Sequence, residues 1–423
     1  MNTCLAPSAL GLAPSFGFGD RLGLATPGHV AALREAGGAI RGIFAQQSIR
    51  ELTRTNRTPE EVMQVAVDSL AAVDYAEPWS ADADHLKTVD DVRRTMAAGF
   101  TFITMDPSDD VDQQADGYDP HTLAEKFAQI GDFAPWFDHY RGRTVRLDAG
   151  LIEFTEETLV RAAVKYGKAM KRAMSLARCA LAESARLGQP CELELSVDET
   201  AEPTTPAEHY IIAEQFRLAD LPLASLAPRF VGHFEKGVEY KGDMAQLEAT
   251  VRVHVEIAER LGPYKISFHS GSDKISMYSL LARLTKGRFH VKTAGTSYLE
   301  ALRVAAQYDP SLFRHIVAFS RRHFDRDKAS YCVSATVAGV PCPETVDDPL
   351  ELERIYLQRW EDVPPGRGFT AIGRQILHCT FGSVLTDPHL GPALLQLVED
   401  RPEEHREILR QHFVRHLRPL AAG

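Results

Sequence analysis

Short apolar runs and helical patterns alternate along this chain. Eight runs rich in β-branched and aromatic residues are separated by polar or glycine-containing loops and by stretches with helical periodicity. The predicted strands are 40–45, 100–105, 191–197, 229–234, 264–269, 288–293, 331–335 and 376–381. Strands that alternate with helices predict a parallel sheet, and eight such units predict an α/β fold of the (β/α)8 TIM-type barrel. A doubly wound open sheet is the structural alternative.

Helix signals agree with this pattern at several places. Thr58 precedes a proline and two acids, which is typical of a helix N-cap and first turn. Thr155 begins a long helical pattern that Gly188 can end. The interval 107–190 is too long for one crossover between strands, so it predicts a helical insertion. We therefore expect a single catalytic barrel domain over 1–423 that contains this insertion.

Composition and charge exclude several classes of protein. The 423 residues include 47 Lys and Arg against 58 Asp and Glu, and the net charge of −11 argues against nucleic acid as a partner. No apolar stretch approaches the roughly 18 residues that a membrane span needs. The first twenty residues lack a basic start and contain two prolines, so no signal peptide is predicted.

Cysteine usage adds an expectation about the compartment. The six cysteines contain no C-x-x-C pair and are dispersed over the chain: Cys4, Cys179, Cys191, Cys332, Cys342 and Cys379. Such a distribution is typical of buried, reduced thiols, and it predicts a cytoplasmic protein. A homo-oligomer is compatible with the sequence.

Polar residues recur at the carboxyl ends of the predicted strands, where barrels of this kind carry their chemistry. Alternation along the strands turns Glu194 and Lys265 inward and leaves the intervening apolar residues facing the helices. The polar side chains expected at the mouth are Asp106, Asp198, His233, Glu235, His269, Lys292 and His378. A divalent cation would compensate the carboxylates and use neutral imidazoles as ligands. A solvated rim of unrelated polar residues is the alternative.

Three local motifs were compared with known sites. The segment 17–23 (GFGDRLG) is similar to a dinucleotide loop, but its third glycine is one position late and no clear strand precedes it, so NAD is not expected. The segment 106–112 (DPSDDVD) is similar to a calcium loop, but Val111 stands where the turn needs glycine, which excludes an EF-hand. The segment 269–274 (HSGSDK) could bind a metal and a sugar acid together. Its alternative is a turn with Asp273 as a helix N-cap.

The remaining helical histidines are interpreted as surface residues. They lie on predicted amphipathic helices: His121, His254, His405, His412 and His416.

Seven longer segments together resemble the tagaturonate epimerase family. They are SFGFGDRLGLATPGH (15–29), DPSDDVD (106–112), SVDETAEPTTPAEHY (196–210), APRFVGHFEKGVEY (227–240), GPYKISFHSGSDK (262–274), HVKTAGTSYLEALRVAA (290–306) and HCTFGSVL (378–385). The resemblance implies a metal-dependent isomerase with a TIM-type barrel. It further implies that the enzyme interconverts D-tagaturonate and D-fructuronate in hexuronate catabolism, so a small anionic sugar acid is the expected partner.

The implied reaction restricts the mechanism. The inverted carbon lies β to the ketone, so simple enolisation does not make its proton acidic. Transient oxidation would need a nicotinamide, for which the sequence has no fingerprint. Retro-aldol cleavage and re-addition instead needs a Lewis acid and a general base. A class II aldolase-like lyase and a non-catalytic sugar-acid-binding barrel protein are the alternative functions.

The mouth residues supply candidates for each role. The predicted ligands of a divalent metal ion (Mn, Zn, Ni or Co) are Asp198, Glu235, His269 and His378. The predicted acid/base groups are Asp106, Asp109 and Glu199. The predicted substrate-binding residues, three of them cations for the carboxylate, are Lys274, Lys292, Arg229 and Asp273.

Overall fold

A computed structural model describes residues 6–423, except for the side chain of Ser330; residues 1–5, with Cys4, lie outside the described residues. The strands within this range are β1 (Ser15–Phe18), β2 (Arg41–Phe44), β3 (Gln47–Ser48), β4 (Asp82–Leu86), β5 (Phe102–Met105), β6 (Thr144–Leu147), β7 (Gly150–Glu153), β8 (Glu192–Val197), β9 (Leu223–Pro228), β10 (Lys265–Phe268) and β11 (Phe289–Thr293). Strands β6 and β7 form an antiparallel ribbon. The other nine form one curled sheet in which every pairing is parallel. The predicted α/β class with a parallel sheet is therefore confirmed.

The strand order is β2-β1-β11-β10-β9-β8-β5-β4-β3. Strands β2 and β3 follow each other in the chain and yet stand at opposite ends of this order. Backbone bonds also connect β2 to the segment just before β4: the Phe44 N–H donates to the Ser80 carbonyl at 3.0 Å, and the Ser80 N–H donates to the Gly42 carbonyl at 3.3 Å. The two ends of the sheet thus lie beside each other.

Helices connect the strands and cover the sheet. They are α1 (Thr26–Ala36), α2 (Ile49–Thr55), α3 (Pro59–Ala72), α4 (Val89–Ala97), α5 (Pro120–Ala128), α6 (Phe137–Tyr140), α7 (Glu156–Leu187), α8 (Pro206–Leu218), α9 (Met244–Leu261), α10 (Ile275–Thr285), α11 (Thr296–Tyr308), α12 (Pro310–Asp327), α13 (Pro349–Tyr356), α14 (Gly373–Cys379), α15 (Phe381–Thr386), α16 (Leu390–Glu399) and α17 (Pro402–Ala422). The predicted helix signals are confirmed. Thr58 and Thr155 cap α3 and α7 with their hydroxyls, and Gly188 ends α7 in the left-handed region.

Two apolar clusters hold these layers together. The larger lies between the sheet and its surrounding helices and includes the last helix, α17. The smaller lies among α11, α12, α13, α14, α15 and α16. Within residues 6–423, every helix is too short or too polar to span a bilayer. The segment 107–190 holds α5, α6, the β6–β7 ribbon and α7, and two backbone N–H groups of the ribbon turn donate to Glu256 on α9.

Three of the eight predicted strands are wrong. The run 229–234 follows a strand instead of forming one, because β9 ends at Pro228. The run 331–335 is irregular, and 376–381 lies in α14 and the start of α15. A short apolar run has the same pattern in a buried helix as in a buried strand, so periodicity could not distinguish them. Strands β1, β3 and β4 of the sheet were missed, and so were β6 and β7 within the segment predicted as a helical insertion.

Several burial predictions are also wrong. Of the five helical histidines predicted at the surface, His121 is exposed, whereas His254, His405, His412 and His416 are buried. Three of these lie on α17, which packs against α1, α10 and α11 and therefore has more than one buried face. Two cysteines predicted to be buried, Cys332 and Cys342, are exposed, and all five cysteines in the described part of the chain are free thiols.

The buried histidines predict acid sensitivity. Burial lowers the pKa of His29 to about 3 and those of His254 and His405 to about 4. Each folded-state pKa is below the unfolded value of about 6.5, so the unfolded chain binds more protons and stability falls as pH drops below about 6.5. We expect each histidine to remove roughly 2 kcal/mol of unfolding free energy between pH 7 and pH 5. Guanidinium unfolding at both pH values measures this loss.

A pair of variants tests whether His405 contributes to this loss of stability at low pH. H405L should reduce the pH-dependent loss, because the unfolded state then has one fewer histidine to protonate. H121A should leave the loss unchanged, because His121 is exposed. An equal loss in H405L and the parent protein would contradict the assignment to His405.

Candidate functional site

A cleft opens at the carboxyl ends of the parallel strands, where barrel enzymes carry their chemistry. One side, here called the acidic side, consists of Asp84, His85, Asp106, Asp198 and His269 with the buried residues beneath them. A second group of lining residues, here called the basic side, consists of Arg21, Lys236 and His378.

Strand β4 supplies two successive residues to the acidic side. Alternation along a regular strand would place Asp84 and His85 on opposite faces. The pairing of β4 with β5 shifts between Ala83 and Leu86, and His85 has a φ of 55°. This bulge allows Asp84 and His85 both to line the cleft, since the extra residue re-aims the side chain that follows it.

Two imidazole–carboxylate contacts connect the strands. His85 Nδ1 lies 3.0 Å from Asp106 Oδ2, which brings the ends of β4 and β5 together. His269, just after β10, has Nε2 2.8 Å from Glu194 Oε1 and Nδ1 3.1 Å from Asp198 Oδ1. The two imidazole rings have centroids 5.1 Å apart. Four strand ends therefore converge on one cluster, as strand parity predicted for the face that carries Glu194 and His269.

Lys292 lies beneath this cluster on β11. Its ammonium is 2.8 Å from Asp82, 2.8 Å from Asp84 and 2.7 Å from Glu194, and it also donates to the Thr104 hydroxyl at 2.7 Å. These partners raise the pKa of Lys292 above its ordinary value even though burial acts to lower it. A single ammonium thus holds three carboxylates together in the interior.

The acidic side needs more positive charge than Lys292 supplies. Burial acts to lower the pKa of both histidines, but Asp84 and Asp106 raise the pKa of His85 to about 10. Asp198 and Glu194 similarly raise the pKa of His269 to about 9. The carboxylates therefore stabilise protons on both imidazoles. A divalent cation would replace two such protons without changing the local charge.

The same residues fit a divalent metal ion. Asp84, His85 and His269 each offer one ligand atom, and these atoms lie within 4.8 Å of one another. His85, Asp106 and Glu199 form a second such group that shares His85. The buried Nδ1 of His269 contacts Asp198 at 3.1 Å but, among the described residues, makes no hydrogen bond of good geometry. A mixture of nitrogen and carboxylate ligands suits Mn, Zn, Ni or Co.

The basic side has a different chemistry. Arg21 donates through Nε to Glu51 at 2.6 Å, and its guanidinium lies over the Phe381 ring at 3.6 Å. Lys236 donates to the Ser270 hydroxyl at 2.6 Å. Burial, with the charges of Arg21 and Lys236, holds the pKa of His378 well below its usual value, so this imidazole is neutral.

The four predicted metal ligands divide between different places. Asp198 and His269 come together on the acidic side. Glu235 does not join them, because one of its oxygens accepts from Lys241, Ser334 and Gln375 at 2.7 to 2.8 Å. His378 lies on helix α14, not at the predicted strand end, and belongs to the basic side.

The three predicted acid/base residues are also separated. Asp106 lies on the acidic side, where it accepts from the Ser108 N–H as well as contacting His85. Glu199 lies at the opening of the cleft, 3.4 Å from the guanidinium of Arg50. Asp109 is exposed and forms an ion pair with Lys87 at 2.6 Å, so the structure does not bring it to the cluster.

The three predicted substrate-binding cations have protein partners in the structure, and only Lys292 lines the cleft. Lys274 is buried and donates to three backbone carbonyls at 2.5 to 3.0 Å, which uses all of its donors. Lys292 lines the cleft but is held by acidic residues. Arg229 lies in the neighbouring pocket and donates to the Phe230 carbonyl at 3.0 Å.

Asp273 lies behind the 269–274 loop. Its carboxylate is 3.2 Å from Arg374, and its N–H donates to Nε2 of His416 at 3.0 Å. It is not the cap of α10, whose N-cap is Lys274. Asp273, His412 and His416 form a third cluster of potential ligands, but the lone pair of His416 Nε2 is already occupied by that N–H.

The cleft residues that sequence reasoning missed include Asp84, His85, Arg21 and Lys236. The alternation DADHL in β4 could have indicated Asp84, because acidic residues at every second position mark a strand face that is polar and buried, whereas the position of His85 depends on the bulge. Arg21 lies just after the missed strand β1, in a segment that was compared only with a dinucleotide loop.

Known proteins are similar to this chain over nearly its whole length. A family model described as tagaturonate epimerase matches residues 2–420. The chain is 40% identical to the tagaturonate/fructuronate epimerase of Thermotoga maritima over 413 residues, which are 98% of this chain and 82% of that protein.

Solved structures give the same result. The native structure of fructuronate-tagaturonate epimerase UxaE from Cohnella laeviribosi is 34% identical, with a TM-score of 0.90 over 98% of this chain and 83% of that chain. A glycerol-complexed structure of that enzyme has the same identity and coverage and a TM-score of 0.89. The relatives are epimerases, so the predicted isomerase class is confirmed. The extent of these matches shows that the chain belongs to the tagaturonate epimerase family.

Proposed function

We propose that this protein is a metal-dependent epimerase that interconverts D-tagaturonate and D-fructuronate. The observation that carries the proposal is a cleft lined both by a carboxylate–imidazole cluster and by cationic side chains. The acidic side suits a metal ion that activates a ketose, and the basic side suits an anionic sugar acid. Family membership and the 40% identity to a tagaturonate/fructuronate epimerase support the choice of substrate.

We also propose that residues 1–423 form one catalytic barrel that closes on itself, with 107–190 as an insertion. Strands β2 and β3 belong to one extended run, 41–48, interrupted at Ala45, which has a φ of 65°. Its first part pairs with β1, its second part pairs with β4, and the bonds to Ser80 bridge them. Counted as one strand, this run gives eight parallel strands in chain order, which is the arrangement of a (β/α)8 barrel.

In this proposal Asp84, His85 and His269 hold the metal, and Asp106 and Asp198 orient the imidazoles. A bound divalent ion would act as a Lewis acid toward the ketone and hydroxyl oxygens of the sugar. Glu194 and Lys292 support the cluster from below, since hydrogen bonds behind a ligand fix its ring orientation. Glu235 and His378, predicted as ligands from the sequence, are not included.

Retro-aldol chemistry assigns the remaining roles. A general base removes the hydroxyl proton from the inverted carbon, the bond to the α-carbon breaks, and its electron pair passes into an enediolate. The aldehyde rotates and is attacked on its other face, and the proton returns to the new hydroxyl. Asp106 and Glu199 are the carboxylates placed for proton transfer. Asp109 is not, because it is exposed and paired with Lys87.

Incubation of the protein with D-tagaturonate and Mn²⁺, followed by NMR, tests the function. We expect D-fructuronate as the product, no conversion after chelation of the metal, and recovery when a divalent ion is restored. Persistent three-carbon fragments would instead support the aldolase-like lyase. Tight binding of the sugar acid without turnover, after supply of Mn, Zn, Ni and Co in turn, would support a non-catalytic binding protein.

A further inference from the structure

We propose that Arg21, Lys236 and His378 form the subsite that binds the carboxylate of the sugar acid. This inference rests on the proposed function, because it names the residues that bind the carboxylate end of that substrate. It replaces the sequence-based assignment of the carboxylate to Lys274, Lys292 and Arg229.

Arg21 provides the fixed part of this subsite. Its side chain is buried, with 2% of its surface exposed, and only its Nε is committed to Glu51. The buried Nη1 has no hydrogen-bond partner among the described residues. The Phe381 ring below the guanidinium and the Glu51 carboxylate beside it hold the plane of the group. A buried arginine nitrogen without a partner at a cleft wall is costly unless a ligand accepts from it.

His378 adds a second group without a partner. The residue is 3% exposed, and its Nδ1 has no hydrogen-bond partner among the described residues. A side-chain carbon at Gly295 would come 2.1 Å from Cε1 of His378, so the ring packs directly on that backbone and is held in place. His378 cannot serve as a cation here, but as a neutral imidazole it can donate one N–H to a carboxylate oxygen.

Lys236 supplies charge that the protein leaves uncompensated. Its ammonium donates to the Ser270 hydroxyl, and within residues 6–423 no carboxylate lies within ion-pair distance of it. By contrast, Lys241 on the same loop pairs with Glu235 at 2.7 Å. An ammonium and a guanidinium on one wall, with Glu51 as the acid paired to Arg21, match a ligand that brings one negative charge.

A carboxylate subsite separate from the metal ligands meets a demand of the reaction. Retro-aldol cleavage produces a three-carbon enediolate and a three-carbon aldehyde that carries the carboxylate. The acidic side holds the enediolate end, so the carboxylate end must be held separately while the aldehyde turns. A subsite on the basic side keeps this fragment bound and allows rotation about the bond next to the aldehyde carbon. Retention of the fragment is what separates an epimerase from a lyase.

Two non-reacting probes measure the subsite directly. D-galactonate carries the carboxylate and galactitol does not, and neither has the ketone that the reaction needs. Titration calorimetry with both gives the preference for the charged probe. We expect K236M to lower the affinity for D-galactonate about 10- to 100-fold and to leave galactitol unchanged, because the lost interaction is a charge-assisted hydrogen bond. K241M is the matched control and should retain the preference.

Variants of His378 test its geometry. Asparagine places its amide near the position of Nδ1, and glutamine places it near Nε2, so H378N should retain affinity for D-galactonate and H378Q should lose it about tenfold. Circular dichroism and unfolding midpoints establish that each variant is folded. An R21K variant, which keeps charge but loses the fork of donors, should also weaken D-galactonate binding.

The outcomes separate this inference from the proposed function. If the protein epimerises D-tagaturonate and K236M keeps its KM and its preference for D-galactonate, the subsite is wrong and the function stands. If the protein does not epimerise D-tagaturonate with any metal, but K236M still lowers the affinity for D-galactonate, the proposed function is wrong and an anion subsite remains. Equal loss in K236M and K241M would also overturn the assignment.

Discussion

Replacing His269 by alanine is expected to remove the bound metal and to lower kcat/KM for D-tagaturonate roughly 10³-fold. His269 lies between Glu194 and Asp198, at 2.8 and 3.1 Å, and it shares a ligand group with Asp84 and His85. Its loss removes one nitrogen ligand and leaves two buried carboxylates facing an empty volume. Metal content by plasma mass spectrometry, measured on purified and metal-loaded protein, gives the first readout, and steady-state kinetics gives the second.

Two other histidines serve as controls for His269. H378A should keep the metal and raise KM, because His378 belongs to the basic side and not to the ligand group. H233A should keep both metal and activity, because His233 is exposed and is placed by a backbone bridge to Lys241. A full complement of metal in H269A would contradict both this site and the ligand set predicted from the sequence, because both include His269. Loss of metal in H378A would contradict the site described above and would favour the ligand set predicted from the sequence.

The sequence could predict those residues of the acidic side that follow the alternation of regular strands. Glu194 and His269 follow from alternation along β8 and β10, because outward leucine, isoleucine and phenylalanine residues define the parity. Five of the eight predicted strands are present for the same reason. The family resemblance, carried by seven segments, is confirmed by a match over residues 2–420.

Other residues of the acidic side depend on local irregularity that a hydrophobic pattern does not encode. Strand β4 has the sequence DADHL, with polar residues on its buried face, so its β character is concealed. Its bulge then turns His85 into the cleft, which no alternation rule could give. A sequence pattern also lacks the information that one arginine lies over Phe381 with an unpaired nitrogen.

Two predicted site residues have other partners in the structure. Lys274 and Glu235 were predicted at the site because charged residues near strand ends suggest function. In the structure Lys274 binds three carbonyls, and one oxygen of Glu235 binds three side-chain donors. A buried charge with a full set of hydrogen bonds and a buried charge that awaits a ligand have the same signature in sequence. The hydrogen-bond partners of each atom distinguish the two cases, and only the coordinates show those partners.

Replacing Lys292 by methionine is expected to destabilise the metal-free protein by about 3 to 5 kcal/mol, because it leaves Asp82, Asp84 and Glu194 without their shared cation in the interior. Denaturant unfolding in the presence of a chelator measures the change. K286M provides the matched control, because Lys286 also pairs with a carboxylate, Glu259 at 3.0 Å, but its side chain is 69% exposed. An exposed pair of this kind contributes about 0 to 1 kcal/mol.

A divalent ion should reverse much of the loss in K292M, and this response distinguishes a charge effect from a packing defect. Removal of the ammonium leaves the three carboxylates with more uncompensated negative charge, so the folded variant should bind Mn²⁺ more tightly than the parent protein does. Binding to the folded state alone raises stability in proportion to the logarithm of ligand concentration over Kd. We therefore expect a larger rise in Tm with Mn²⁺ for K292M than for the parent. An equal rise in both proteins, or a loss in K292M no greater than that in K286M, would show that Lys292 does not hold the acidic side together.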